Sequence, residues 1–259
     1  MITRMEHMGR IVGFGTAAAV TRVCVAALRS NPPGGPARWT SDNYAGRTVE
    51  LYAGPATAVG SAFAAARVHP AAAGAVAVAG ACGAYDDVVG AGDPRRGFRA
   101  HLGALRDGRV TSGAVKLFGI AAAGLVAGAV LKERPVDKLL AGVVIAGTAH
   151  FVNLVDVRPG RAAGAVLALG VPGLLCGGDA GRLSAVATGA VAAVLADDLG
   201  ERAMIGDTGA HALGATLGTA IALGNGRAGL AAHAAALVAA TALGEKVSRA
   251  AETLGRTGE

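Results

Sequence analysis

The sequence predicts an all-α integral membrane protein with about nine transmembrane helices, and two observations support that prediction. Of its 259 residues, 53% are hydrophobic and only 16% are charged, whereas soluble domains usually carry about a quarter charged residues. The apolar residues also form separate blocks of roughly 16–21 residues, as in a polytopic helical membrane protein. An Ala-rich soluble α or α/β protein is the alternative, because the blocks are mostly Ala, Gly and Val and only 3% of residues are aromatic.

The predicted spans follow one another through a single membrane domain, residues 1–259. Most are bounded by Pro, Gly or charged residues, which stop helices; residues 67–70 (Arg-Val-His-Pro) end the second span in this way. The first block is interrupted by Arg22 and is alternatively a signal peptide. The spans cover about 9–28, 53–68, 71–85, 112–131, 139–155, 162–177, 183–196, 208–224 and 228–244.

The polar segments between these spans predict one face of the protein. Counting crossings brings four loops and the C-terminal tail to the same side of the membrane. Most of the 24 Lys and Arg residues lie there, so the positive-inside rule makes that face cytoplasmic, with the N-terminus outside and the C-terminus cytoplasmic. The net charge of +6 fits anionic lipid or substrate rather than nucleic acid. The cytoplasmic segments are about 30–52, 86–111, 156–161, 197–207 and 245–259.

Three acidic islands fall on this face. Asp86-Asp87 end the third span, Asp156 ends the fifth, and Asp207 begins the eighth. Any one of them is also explained as a helix-end acid that meets water, and this explanation applies at least as well to the segment 197–201, with Asp197, Asp198 and Glu201. As a set, however, the island carboxylates would repel one another unless they were protonated or metal-bound.

These residues are the parts that phosphoryl transfer needs. Mg²⁺, with Mn²⁺ as an alternative, binds one or two carboxylates together with water and substrate phosphates. The helix start at Asp207 offers free backbone N–H groups that suit a phosphate. Arginines of the loop 86–111, among them Arg99, would contact phosphate oxygens. Catalysis of phosphoryl transfer consists largely of such positioning and charge stabilisation.

Three motifs in order resemble a known superfamily. Asp86-Asp87, the segment 153–156 (Asn-Leu-Val-Asp) and the segment 206–209 (Gly-Asp-Thr-Gly) are similar to the polyprenyl-phosphate N-acetylhexosamine-1-phosphate transferases, of which this chain would be a divergent short member. The resemblance implies a bacterial enzyme of the cytoplasmic membrane that works in cell-envelope glycan biosynthesis. It would transfer a sugar-1-phosphate from a UDP-sugar to a polyprenyl phosphate, with Mg²⁺, and release UMP.

The resemblance also implies roles for individual residues. The expected catalytic residues are Asp86, Asp87, Asp156 and Asp207, of which Asp87, Asp156 and Asp207 would lie at the metal. The expected substrate-binding residues are Asn43, Arg99, Lys116, His150, Asn153, Arg158, Gly206 and Thr208.

The chain departs from the superfamily pattern in ways that leave alternatives open. A second acid often found after the Asn motif is missing after Asp156, and Met204 stands where an aromatic is usual. Lys116 is equally explained as a lysine at a helix end, and His150 as a hydrogen-bonded packing histidine. The alternative functions are therefore a catalytically inactive relative or a small membrane transporter. A homodimer formed through the small-residue helices is compatible with the sequence.

Overall fold

The computed structural model describes residues 3–90 and 98–253. Within them the chain forms eleven α-helices and one hairpin of two short antiparallel strands. The hairpin, Thr40–Asp42 (β1) and Thr48–Glu50 (β2), lies between the first two helices. The helices are Arg4–Ser30 (α1), Ala53–Ala66 (α2), Pro70–Val89 (α3), Phe98–Arg106 (α4), Ser112–Leu131 (α5), Pro135–Leu154 (α6), Arg161–Gly173 (α7), Gly178–Leu199 (α8), Gly206–Gly224 (α9), Arg227–Ala242 (α10) and Gly244–Thr253 (α11).

Each of the nine predicted apolar segments is helical in the structure, and it corresponds to α1, α2, α3 or one of α5 to α10. The local start signals are readable in the sequence. The Thr111 side chain accepts a hydrogen bond from the backbone N–H of Ala114 at 3.1 Å and so caps α5. Pro70 and Pro135 occupy the first positions of α3 and α6, where a missing N–H costs nothing.

The count of nine spans is wrong. Among the described residues, five helices (α1, α3, α5, α6 and α8) are long and apolar enough to cross a membrane, and a sixth span is obtained if α10 and α11, which meet at 84°, count as one broken span. The helices α2, α7 and α10 have 14, 13 and 16 residues. At 1.5 Å per residue they are about 20–24 Å long, shorter than the roughly 30 Å hydrocarbon core.

Helix α9 is the centre of the bundle. It is long enough to be a span but less apolar, because its first turns carry Asp207, Thr208 and His211. It packs against α2, α3, α6 and α8, and its Leu213 and Leu217 are fully buried. The surrounding helices shield α9, so its own polarity does not have to match the outside of the molecule.

Four short elements lie in segments that were predicted as loops or tail. These elements are the hairpin, a 3₁₀ turn at Pro36–Trp39, α4 and α11. They were missed because each is short and mixes polar with apolar residues, so none forms an apolar block.

The hairpin is tied to the segment that precedes α9. The backbone N–H of Glu50 donates to the carbonyl of Arg202, and the N–H of Met204 donates to the carbonyl of Glu50, both at 3.0 Å. The Asp197 carboxylate near the end of α8 contacts three arginines, at 3.0 Å from Arg22, 3.6 Å from Arg29 and 2.8 Å from Arg202. Helix α1, the hairpin and α8 are thereby held together beside the start of α9.

Candidate functional site

The predicted acidic residues meet at one end of the helix bundle. Asp86 and Asp87 lie in the last turn of α3, Lys116 lies near the start of α5, and Asp207 lies in the first turn of α9. Asp156 lies between α6 and α7. We call these five residues the acid centre. Their proximity rests on the contacts described below and no longer on a count of membrane crossings.

Lys116 joins two of the acids. Its ammonium donates to Asp86 Oδ2 at 2.5 Å and also to Asp207 Oδ2. The three side chains are 17%, 19% and 28% exposed, so solvent screens these ion pairs only in part. Lys116 is therefore part of the centre, and the explanation of it as a mere helix-end lysine is not needed.

Asp87 caps helix α9 from a different helix. Its Oδ1 accepts a hydrogen bond from the backbone N–H of Asp207 at 3.3 Å, and its Oδ2 accepts from the N–H and the hydroxyl of Thr208 at 3.0 and 2.5 Å. A carboxylate at a helix N-terminus satisfies its free N–H groups and its dipole. The donors that were predicted to bind phosphate are thus engaged by Asp87.

A glycine makes this cap possible. A Cβ on Gly83 of α3 would lie 2.5 Å from the carbonyl oxygen of Asp207, so α3 and the first turn of α9 approach as closely as they do only because Gly83 has no side chain. One turn further along α3, Asp87 then reaches the start of α9.

Asp156 lies among negative charges. Burial, followed by the charges of Asp198, Asp207 and Asp87, raises the pKa of its carboxyl to about 8, while an interaction with the backbone N–H of Gly206 acts in the opposite direction. A cation placed beside Asp156 would favour its charged form.

A cavity of about 130 Å³ adjoins the acid centre below the hairpin. The guanidinium of Arg158 lies over the ring of Tyr44, with Cζ 4.7 Å from the ring centroid. The Arg158 Nε is buried and has no hydrogen-bond partner among the described residues. The residues that line the cavity include Asn43, Tyr44, Asp156, Arg158, Asp198 and Glu201.

Asn43 closes the hairpin. Its Oδ1 accepts from the backbone N–H groups of Ala45 and Arg47 at 2.9 and 3.0 Å, and its Nδ2 donates to Glu201 at 2.7 Å. Glu201 has a φ of 51°, which is uncommon for a residue other than glycine. Asn43 therefore faces the cavity and also fixes the turn beside it.

The other predicted residues differ in how close they lie to the centre. His150 of α6 is close enough to Lys116 to interact with it electrostatically. Asn153 lies in the last turn of α6, where its carbonyl accepts from the N–H of Asp156 at 3.1 Å. Arg99 belongs to α4, but its side chain lies outside the described residues, as do the neighbouring residues 91–97 of the predicted basic loop.

Sequence reasoning missed or misassigned several neighbours. His211, which is 1% exposed, lies one turn after Asp207 and its Nδ1 is 2.7 Å from the Asp207 carbonyl oxygen; the i, i+4 spacing was the available signal. The expectation that Asp197 and Asp198 meet solvent is wrong, since they are 5% and 3% exposed. Asp198 accepts a hydrogen bond from the backbone N–H of Gly160 at 2.7 Å.

No protein-family model matches the chain, and a comparison with curated proteins also found no match. The resemblance to the transferase superfamily therefore stays a prediction.

The donor set of the acid centre fits a weakly coordinated magnesium ion. Among the described residues no group of three or more His, Cys, Asp or Glu side chains is arranged to hold a metal. Magnesium does not need such a group, since it commonly takes one or two carboxylates and completes its shell with water and substrate phosphate. Asp156 and Asp207 supply two, whereas both oxygens of Asp87 already accept hydrogen bonds.

Proposed function

We propose that this protein transfers a sugar-1-phosphate from a UDP-sugar to a polyprenyl phosphate at the cytoplasmic face of a bacterial membrane, in the synthesis of an envelope glycan. The observation that carries the proposal is the meeting of Asp86, Lys116, Asp156 and Asp207 from four separate segments. Carboxylates gathered around one ammonium beside a cavity are an arrangement suited to phosphate and a divalent cation.

The reaction would be a direct exchange between two phosphate esters. An oxygen of the lipid phosphate forms a bond to the β-phosphorus of the donor. The bond from that phosphorus to the oxygen that bridges to the α-phosphorus breaks, and UMP leaves with the bridging oxygen. An ionised lipid phosphate has no proton to lose, so positioning and charge stabilisation are the main demands on the protein.

The residues of the acid centre have separate tasks in this proposal. Lys116 would neutralise charge on the reacting phosphates, because its ammonium lies between Asp86 and Asp207 at the acid centre. Asp207 and Asp156 would hold Mg²⁺, which would supply charge neutralisation of the pyrophosphate when bound. Asp86 would orient Lys116, and Asp87 would keep the first turn of α9 in place through its cap.

The cavity below the hairpin suits the nucleotide part of the donor. Tyr44 and Arg158 offer an aromatic ring and a stacked guanidinium plane, on both of which bases commonly stack. Asp198 and Glu201 line the same cavity, and either carboxylate can accept a hydrogen bond from the single N–H of uracil. The aromatic missing at Met204 would thus be replaced by Tyr44 from the hairpin.

The transporter alternative is less well supported. A transporter is expected to carry acids within its spans along a central path. Here Asp86, Asp87 and Asp207 lie at helix ends and Asp156 lies between helices, so they form a site at one end of the bundle.

The test is product formation by the purified protein in detergent. The protein would receive Mg²⁺, undecaprenyl phosphate and one of a panel of UDP-sugars, and mass spectrometry would look for the lipid-linked sugar pyrophosphate. We expect the product with at least one donor, and we expect its loss when the lipid is omitted, when EDTA removes the metal, or in Asp207→Asn.

A folded protein that forms no product with any donor of a broad panel would contradict the proposal. It would then favour the inactive relative, in which the acid missing after Asp156 has removed the chemistry. Product that persists in Asp207→Asn would contradict the assignment of the site.

A further inference from the structure

The acid centre already contains a cation that belongs to the chain. The ammonium of Lys116 contacts Oδ2 of Asp207 and, at 2.5 Å, Oδ2 of Asp86. Both oxygens of Asp87 accept hydrogen bonds from the start of α9. A metal ion at Asp207 would therefore have to share a carboxylate that Lys116 occupies.

We propose that Lys116 and a divalent cation compete for Asp207, so that metal binding releases the Lys116 ammonium from Asp207 while its contact with Asp86 remains. The inference rests on the proposed function only in taking the same centre as the metal site. It adds that Lys116 links Asp86 to Asp207 in the metal-free protein. A bound metal would then replace the lysine at the Asp207 carboxylate.

Electrostatics supports an exchange over joint occupancy. An ammonium and a dication on the same carboxylate would lie within a few ångströms of each other, where like charges repel strongly in a partly buried site. After its release from Asp207, the ammonium keeps Asp86 as its partner. Asp87 is not an alternative partner, because it already accepts hydrogen bonds from the start of α9. A Lys116 ammonium that contacts Asp86 alone has N–H donors available for an anionic phosphate.

Binding of Mn²⁺ alone, measured by electron paramagnetic resonance, tests the competition. The variants would be Lys116→Gln and, as the matched control, Lys132→Gln, whose ammonium donates to the carbonyl of Asn225 at the other end of the bundle. We expect Lys116→Gln to lower the Kd for Mn²⁺ about tenfold, which corresponds to the loss of one competing charge-assisted hydrogen bond. Lys132→Gln should leave the Kd unchanged, and adding Asp207→Asn to Lys116→Gln should abolish the gain.

Each result decides the matter. Measurable Mn²⁺ binding that appears only in Lys116→Gln supports the competition in its strongest form. Binding that is unchanged or weaker in Lys116→Gln, or absent from both proteins, overturns it.

A second measurement uses the unaltered chain, in case Lys116→Gln does not fold. Mass spectrometry would follow the rate at which an amine-reactive reagent labels Lys116 and Lys132 with and without Mn²⁺. We expect Mn²⁺ to raise the labelling rate of Lys116 severalfold and to leave Lys132 unaffected. An unchanged or lower rate at Lys116 overturns the proposal.

The two proposals fail separately. A chain that makes no lipid-linked sugar but binds Mn²⁺ more tightly as Lys116→Gln is not the proposed transferase, yet it has the competition. If the protein is an active transferase and its Mn²⁺ affinity is the same in Lys116→Gln, the proposed function holds and the competition does not.

Discussion

The acidic side chains at the two ends of the helix bundle differ in how they are paired. At the end away from the acid centre, Asp137 pairs with Arg227 at 2.7 Å and Asp179 pairs with Arg182 at 3.3 Å, and the arginines are 50% and 37% exposed. Such surface pairs balance one to one and contribute little to stability. At the acid centre, four carboxylates lie together, and the ammonium of Lys116 pairs with two of them, Asp86 and Asp207.

This difference sets the acid centre apart from the rest of the molecule as a candidate binding site. Gathering Asp86, Asp87, Asp156 and Asp207 costs free energy, because like charges repel one another. Groups whose charges are strongly perturbed by burial and by one another are common at functional sites. The excess of carboxylates within the acid centre, compared with one-to-one pairs at the other end, makes the acid centre a candidate for cation and phosphate chemistry.

The largest effect on stability should come from the glycine that lets α3 meet α9. Gly83→Ala places a Cβ 2.5 Å from the carbonyl oxygen of Asp207, and we expect a loss of about 1–3 kcal/mol in the free energy of unfolding. Gly74→Ala in the same helix meets nothing within 4 Å and should stabilise by roughly 0.5–1 kcal/mol through helix propensity. Thermal unfolding in detergent measures both, and shifts of the same sign would contradict the close contact.

The next effect separates a cap from a surface pair. Asp87→Ala removes three hydrogen bonds from the start of α9 and should cost about 1–2 kcal/mol, as loss of a helix cap does. Asp179→Ala removes an exposed pair at the other end and should cost less than about 0.5 kcal/mol. Amide hydrogen exchange at residues 207–210 should accelerate only in Asp87→Ala, and acceleration in both variants would show that the cap has no special role.

The smallest expected effect concerns the cavity beside the acid centre. If Tyr44 and Arg158 stack the donor base, Tyr44→Ala should raise the KM for the UDP-sugar about tenfold, in line with the loss of one stacking partner. Tyr44→Phe keeps the ring and should leave KM nearly unchanged. Steady-state kinetics with the donor found in the panel decides this, and a fall in kcat at constant KM would place Tyr44 outside the donor site.

The sequence predicted the helices better than it predicted their relation to a membrane. Every apolar block became a helix because runs of Ala, Val and Leu set this pattern locally. The number of spans depends on helix length, and α2 and α7 have only 14 and 13 residues. They are a few residues too short to span a membrane, and the pattern of apolar blocks does not locate helix ends to that precision. The hairpin and α4 lack an apolar block altogether.

The sequence predicted that Asp86 and Asp207 lie on one face, and the structure brings them to the same lysine. The cap that Asp87 forms depends on the close contact at Gly83, which the sequence does not reveal. Burial of Asp197 depends on arginines of α1 about 170 positions away in the chain. Such long-range partners decide whether an acid is a surface residue or part of a network.

The most direct test of the account compares matched aspartates at the two ends. Release of UMP from the active UDP-sugar would be measured for the unaltered chain, for Asp207→Asn at the acid centre and for Asp179→Asn at the opposite end. The account predicts that Asp207→Asn lowers the rate by about 100-fold or more, as loss of an electrostatic group in an active site commonly does, while Asp179→Asn stays within about twofold because an exposed pair contributes little. Equal rates in the two variants would contradict the claim that the acid centre carries the activity.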